Sequence, residues 1–299
     1  MAVPNTMRPR GFACLAAAGA CLAVFAWSAE SAIAAEEGIK AIFPQNWTFF
    51  GEPFAARLEP GSEAAKSDSI QRQGGTLAIA YRAADREGAP WLGWMQDGRL
   101  LWIPEALAVW VAPQNLAAGN LPYGEEVVDR WRALPLEYQP DDLEPLPAAY
   151  RYEAELEYPL RREAREMVLA MIRAAQANGA KLQICSGYRS AAKQRELYLR
   201  KIESAGYGQK TVAKPGHSEH QLGAAIDFAG PDDTHLLRMS FGQTREGQWL
   251  ASRAAEFGFV QSYTEANEPL TGYQPEPWHY RYVGIERARG WRPLGPPCE

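Results

Sequence analysis

The chain contains four histidines, so any metal site or imidazole base draws on His217, His220, His235 and His279. Two stretches hold three of them. Lys214 to Phe228 reads KPGHSEHQLGAAIDF, and Glu276 to Val283 reads EPWHYRYV. A catalytic zinc ion takes three protein ligands from histidine and carboxylate and keeps a fourth position for water. Zinc lowers the pKa of that water toward about 7, and a carboxylate that does not bind the metal can then take the proton. His220, Asp227 and His279 meet the first requirement, and Glu276 meets the second. Spacing alone also fits ordinary packed or surface side chains, because a glutamate three residues before a histidine is common. Asp227 narrows the choice. It sits in the apolar run Gly223–Phe228, where a carboxylate needs a partner. A metal is one such partner and a neighbouring arginine is another.

The elements that must position these residues are legible in outline. The spacing predicts a helix from about Pro159 to Asn178, with Pro159 in its first turn, Gly179 at its stop, and Met167, Met171, Ala174 and Ala175, with Val168 and Ile172, on an apolar face. A short strand is expected over Lys181–Cys185. Ser190 caps a second helix running to about Ser204. Gly223–Phe228 and Trp278–Val283 read as strands, with a third helix over Glu246–Phe257 between them. Leu134–Pro147 holds four prolines and reads as an extended arm. This mixture gives an α+β class.

The region before it differs. Five of the ten tryptophans, Trp47, Trp91, Trp94, Trp102 and Trp110, fall within 36–115, where short strands alternate with turns. Asp97-Gly98 is a hairpin signal, and the hairpin it joins carries tryptophan on both arms. Such a hairpin resembles the end of a bacterial SH3-like barrel, a module that often binds cell wall. The tryptophans read first as core and second as a ligand platform. Residues 116–133 read as a linker.

The first 34 residues read as a cleaved signal peptide: Arg8 and Arg10, then an uncharged run from Phe12 to Trp27, then Ala32-Ile33-Ala34. Cleavage removes Cys14 and Cys21 and takes the formal charge from −5 to −6. No other run is long enough to span a membrane. An exported product retaining Cys185 and Cys298 admits a disulfide or two thiols. The acidic balance, 31 Lys+Arg against 36 Asp+Glu, argues against a nucleic-acid partner.

A resemblance goes further. Ser218-x-His220-x-x-Gly223-x-Ala225-x-Asp227 with Glu276-x-Trp278-His279 resembles the paired signature of the VanY-type D-alanyl-D-alanine carboxypeptidases. That zinc metallopeptidase group also holds D-alanyl-D-alanine dipeptidases and hedgehog N-terminal domains. Ser186-Gly187-Tyr188-Arg189-Ser190, Gln194, the arm from Leu134-Pro135 to Leu143, Gly258-Phe259 and Thr271-Gly272-Tyr273 match as well. The likeness runs from about Leu134 to Gly284. It implies an antiparallel sheet with flanking helices, forming a catalytic domain over 134–299. It also implies Zn2+ on His220, Asp227 and His279, with Glu276 as general base and Arg189 stabilising charge on the scissile carbonyl or the substrate carboxylate. Ser218 and Gln194 would hold the peptide's C-terminal end. Tyr263 is a weaker substrate contact, since Ser262 stands where the family usually has arginine. His217 is expected as a solvated loop residue and His235 as part of a polar turn.

The resulting expectation is an exported zinc carboxypeptidase acting on peptidoglycan stem peptides, located in the periplasm or cell wall. Two rivals stay open. One is an L,D-carboxypeptidase on tetrapeptide stems. The other is a non-catalytic wall-binding module, against which the presence of Glu276 weighs.

Overall fold

The computed structural model describes residues 39–296, apart from 52, 74, 111–121, 126 and 127, and for 41–46 the backbone alone. The expected signal segment, residues 116–121, 126 and 127 of the linker, and Cys298 lie outside the described residues.

Seven strands come first: β1 (Lys40–Phe49), β2 (Phe54–Arg57), β3 (Lys66–Gln71), β4 (Thr76–Ala84), β5 (Pro90–Gln96), β6 (Arg99–Pro104) and β7 (Ala108–Val109). They form one antiparallel sheet in the order β3-β2-β6-β5-β4-β1-β7. The β5–β6 hairpin closes at Gln96 opposite Arg99. Asp97 and Gly98 both take positive φ, 51° and 74°, as a type I′ turn requires. Trp47, Trp91, Trp94 and Trp102 are each 6% exposed or less, so these rings are core. Gly93 lies opposite Trp102, and a Cβ there would come within 2.8 Å of the Trp102 ring.

A second body of structure follows. The proline-rich arm is extended, and its β8 (Leu143–Glu144) pairs with β9 (Leu160–Arg161). The helix predicted to begin at Pro159 instead begins at Arg162, giving α1 (Arg162–Ala177). Leu160 and Arg161 are held extended by β8, and the Arg161 amide donates to the Gly223 carbonyl. Ala164, Val168, Met171, Ile172 and Ala175 form the buried face of α1, at the helical spacing that the sequence shows. Next come β10 (Gln183–Ser186) and α2 (Ala191–Ala205), where the Ser190 hydroxyl accepts from the Lys193 amide as N-cap. Then follow β11 (Ala225–Ala229), α3 (Arg245–Arg253), β12 (Phe259–Val260) and β13 (His279–Tyr282). The third helix is shorter than its apolar pattern predicts. It tightens to a 3-10 turn over Ala254–Phe257 and stops at Gly258 with φ 84°.

Strands β10-β11-β13-β12 make an antiparallel four-stranded sheet. Its core packs Ile184, Ile226, Phe228, Phe259, Tyr280 and Tyr282 against the apolar face of α1. This agrees with the expected antiparallel sheet flanked by helices. No described helix is long and apolar enough to cross a membrane. The two bodies touch along α2, whose Tyr198 packs edge-on against Phe50 of the seven-stranded region, at 5.8 Å.

Candidate metal centre and active-site cleft

Register brings two of the three candidate ligands together. Asp227 on β11 lies directly opposite His279 on β13, so side chains far apart in sequence share one face as a cross-strand pair. The third, His220, comes from a 3-10 turn over Glu219–Leu222 that ends at Gly223 with φ 68°. The Ser218 hydroxyl accepts from the His220 amide at 3.4 Å and caps that turn. A Cβ on Gly223 would meet Leu143 at 2.8 Å, so both the close approach of the arm and the left-handed backbone call for glycine.

His220 Nε2 lies 3.1 Å from Asp227 Oδ2, and His279 Nδ1 lies 3.0 Å from Asp227 Oδ1. The three donor atoms lie within 4.8 Å of one another, and all three residues are buried. The far nitrogens of both rings are engaged by groups that can only accept. His220 Nδ1 donates to the Gly187 carbonyl at 2.8 Å. His279 Nε2 donates to Glu219 Oε2 at 2.9 Å. Each bond leaves the near nitrogen as the one that would give its lone pair to a metal. With no metal bound, burial lowers the His279 pKa, but the Asp227 and Glu219 carboxylates on either side outweigh it and raise it to about 10. Burial pushes Asp227 up, but the two imidazoles beside it outweigh this and hold its carboxyl far below the usual range. Burial pushes His220 down, toward the neutral form that binds metal. Two neutral-capable imidazoles and an ionised carboxylate are a fitting donor set for Zn2+.

Glu276 stands beside the cluster without joining it, with Oε2 4.0 Å from His279 Nδ1. Its backbone is fixed, since its amide donates to the Tyr263 carbonyl and its own carbonyl accepts from the His279 amide. Burial raises its carboxyl to about 7, with Asp227 and Glu219 adding to the rise. The cluster opens into a cleft of about 480 Å³ lined by Glu276, Arg189, Gln194, Ser218, Tyr263 and Trp278.

The structure therefore brings every expected site residue to one cleft, and it adds detail to three of them. Arg189 donates through NH1 to Gln194 Oε1 at 2.7 Å and through NH2 to Ser186 Oγ at 3.0 Å. The Gln194 amide nitrogen donates to the Ala213 carbonyl at 2.7 Å. Gln194 is thus engaged at both ends of its amide and orients Arg189. Tyr263 stacks flat on His279, 4.5 Å between centroids at 13°. Ser262, where the family usually has arginine, is fully buried.

His217 departs from expectation. It is buried, not solvated. Its Nδ1 lies 2.7 Å from the Asp129 carbonyl and its own carbonyl accepts from Tyr273, so segments distant in sequence close over that loop. His235 lies in a polar turn, with Nδ1 2.9 Å from Ser240 Oγ. Asp227, for which either a metal or an arginine was a fitting partner, faces the two histidines. Cys185 donates to the Asp227 carbonyl; the expected alternative of pairing with Cys298 falls outside the described residues.

Sequence reasoning missed Glu219. It is 2% exposed, accepts from His279, and receives Arg281 NH1 on its other oxygen at 2.9 Å. Burial raises its pKa, but Arg281 and His279 outweigh that and hold it down to about 2. The available signal was charge alternation on a buried strand: Arg281 follows His279 by two, on the same face, and needs a carboxylate.

Gly187 yields a stability prediction. A Cβ there would stand 2.8 Å from the Tyr158 carbonyl carbon and oxygen, both backbone atoms. Gly187→Ala should cost about 1–3 kcal/mol by overpacking. At roughly 2–4 °C per kcal/mol for a chain of this size, the melting temperature should fall by roughly 2–12 °C. A thermal melt unchanged within 1 °C would contradict this contact.

Comparison with known proteins gives a consistent picture. A family model described as VanY, D-alanyl-D-alanine carboxypeptidase, matches residues 157–285. A putative carboxypeptidase, YodJ, of Bacillus subtilis strain 168 is 33% identical over 180 residues, covering 59% of this chain and 63% of the relative. A D-alanyl-D-alanine carboxypeptidase of Enterococcus faecalis is 36% identical over 160 residues, covering 48% and 57%. The chain thus spans about three fifths of the length of these curated relatives. The solved structure of the LdcB LD-carboxypeptidase superposes with a TM-score of 0.56 at 30% identity, covering 68% of this chain and 91% of that one.

Proposed function

The chain belongs to the VanY-type D-alanyl-D-alanine carboxypeptidase family, and from that membership we propose that it is an exported zinc carboxypeptidase removing the terminal D-alanine from peptidoglycan stem peptides. The observation that carries the reading is the convergence of the His220, Asp227 and His279 donor atoms within 4.8 Å, beside a carboxylate that is not one of them. Zinc held there would supply a Lewis acid that makes water acidic near neutral pH and polarises a carbonyl.

The chain's own residues supply the rest. Glu276 takes a proton from the attacking water as its oxygen bonds to the scissile carbonyl carbon. It then delivers that proton to the amine nitrogen of the departing D-alanine as the C–N bond breaks. Arg189, held by Gln194 and Ser186, offers its remaining N–H groups to the developing oxyanion or to the substrate carboxylate. The Ser218 hydroxyl and Tyr263 line the same cleft and bound the peptide's C-terminal end. The pattern at Arg8, Arg10 and Phe12–Trp27 supports export, which puts the enzyme in the periplasm or wall with its substrate. The seven-stranded sheet is a candidate wall contact, through surface other than its buried tryptophans.

Likeness to LdcB favours a second reading, an L,D-carboxypeptidase shortening tetrapeptide stems. Incubating the zinc-loaded chain with pentapeptide and tetrapeptide stems, and weighing the products, separates the two. Release of one alanine from the pentapeptide, at least tenfold faster than from the tetrapeptide, is the expected result. Shortening of the tetrapeptide alone would establish the second reading. No product from either would favour a binding module.

A further inference from the structure

Residues 206–217, between α2 and the 3-10 turn that carries His220, hold no helix or strand. This segment nevertheless builds one wall of the cleft. Val212 and Ala213 line the cleft, the Ala213 carbonyl holds Gln194, and the segment leads directly into Ser218. An irregular segment is placed by its tertiary ties, and here they come from three directions. The Leu134 amide donates to the Gly216 carbonyl at 2.8 Å. His217 is held from the arm side by the Asp129 carbonyl and from the cleft side by Tyr273. The third tie runs to the N-terminal sheet. Lys214 sends its ammonium between the strands' ends, donating to the Glu105 carbonyl at 2.8 Å and the Ala108 carbonyl at 3.3 Å. It lies 3.9 Å from the Glu105 carboxylate and 5.8 Å from the centre of the Trp47 ring.

Around that tie the two bodies share an apolar contact. Phe50, Ala106 and Val109 pack with Ala133 and Tyr198, and Val212 lies against them. Arg195 of α2 donates to the Phe50 carbonyl at 2.5 Å, one residue along from Gln194. Both walls that meet at Gln194, the helix and the irregular segment, are therefore fastened to the sheet.

The geometry points to Lys214 as a positioning residue. Bound to the Glu105 and Ala108 carbonyls, it fixes the 209–217 segment, so that the N-terminal sheet is part of the framework of the substrate cleft. Lys214 does not touch substrate. It acts through Ala213 and Gln194 on the hold of Arg189 on the substrate carboxylate, and through the chain on Ser218, so its effect falls on substrate binding. An ammonium suits this place because it offers three donors to carbonyls at a strand end, where a neutral apolar side chain offers none.

The kinetic part of this inference rests on the carboxypeptidase reading; the structural part does not. The test uses the full zinc-loaded chain, with Lys214→Met and Lys214→Gln beside wild type. Two measurements are made: KM and kcat on a D-alanine-ending pentapeptide stem, and backbone hydrogen exchange. For Lys214→Met the expected result is a KM raised about tenfold, kcat within twofold, and unchanged zinc content. Exchange should be at least tenfold faster over 209–218, with α1 unaffected. Lys214→Gln keeps one donor for the Glu105 carbonyl and should show the same changes at about a third of the size. If Lys214→Met does not fold, Lys214→Gln decides alone. If wild type proves inactive on the stem peptide, the functional reading fails and exchange alone decides the inference. Unchanged exchange over 209–218 in every folded variant would overturn it. So would a drop in kcat with KM unchanged, or loss of zinc.

Discussion

Glu276→Gln should lower kcat for D-alanine release by about 10²–10⁴, the usual worth of a positioned general base, while leaving zinc binding intact. The geometry separates the two effects. Glu276 lies 4.0 Å from His279 Nδ1 and outside the donor triangle, so removing its charge takes no ligand from the metal. Its side chain is 30% exposed toward the cleft, so glutamine fits without a buried void. Burial raises its carboxyl to about 7, and a divalent cation beside it pulls that value back down. A base works only when ionised. The wild-type rate should therefore rise with pH through a limb lying at or below about 7, and that limb should vanish in the variant. Kinetics across pH 4–9 with zinc measured in each preparation checks both points. A variant that binds zinc fully and keeps more than a tenth of the wild-type rate would remove Glu276 from the chemistry.

How much of this was legible in the sequence follows from range. The helices around α1 and α2 were readable because their apolar faces and caps are local, set by residues three or four apart. The Asp97-Gly98 hairpin was readable because two positive-φ positions in succession leave few residue choices. The ligands were readable because histidine is scarce and two short motifs hold three of the four. Long-range closure was not. The start of α1 moved from Pro159 to Arg162 because β8, from a different segment, claims Leu160 and Arg161 for a ladder. His217 read as a solvated loop residue, and only the fold shows that Asp129 and Tyr273 enclose it. Nothing local marks Lys214, because its partners stand more than 100 residues earlier in the chain. Glu219 was passed over because it sits beside a stronger signal, His220, and its partners Arg281 and His279 lie 60 or more residues away.

That overlooked glutamate carries the second large expected effect. Glu219→Ala should weaken zinc binding about 10–100-fold, the usual effect of removing the carboxylate behind a metal-binding imidazole, and should also destabilise the fold. The two losses have separate origins. Without Glu219, His279 Nε2 has no fixed acceptor. The ring can then turn or place its proton on Nδ1, the nitrogen that faces the cluster. Arg281, 2% exposed, loses the carboxylate that balances it, and breaking one side of a buried ion pair costs about 3–5 kcal/mol. The double variant Glu219→Gln/Arg281→Met tells these apart. Glutamine can still accept from His279 Nε2, and methionine leaves no buried charge to balance. Its stability to urea should return to within about 1–2 kcal/mol of wild type, since replacing both partners of a buried pair is often near neutral. Its zinc affinity should recover only in part, because an amide oxygen accepts more weakly than a carboxylate. Chelator competition on folded protein measures the affinity, and urea unfolding of the metal-free protein measures the stability. Full recovery of both would reduce Glu219 to a charge balance for Arg281. Recovery of stability with affinity still lowered would assign it to His279, and through that ring to the metal.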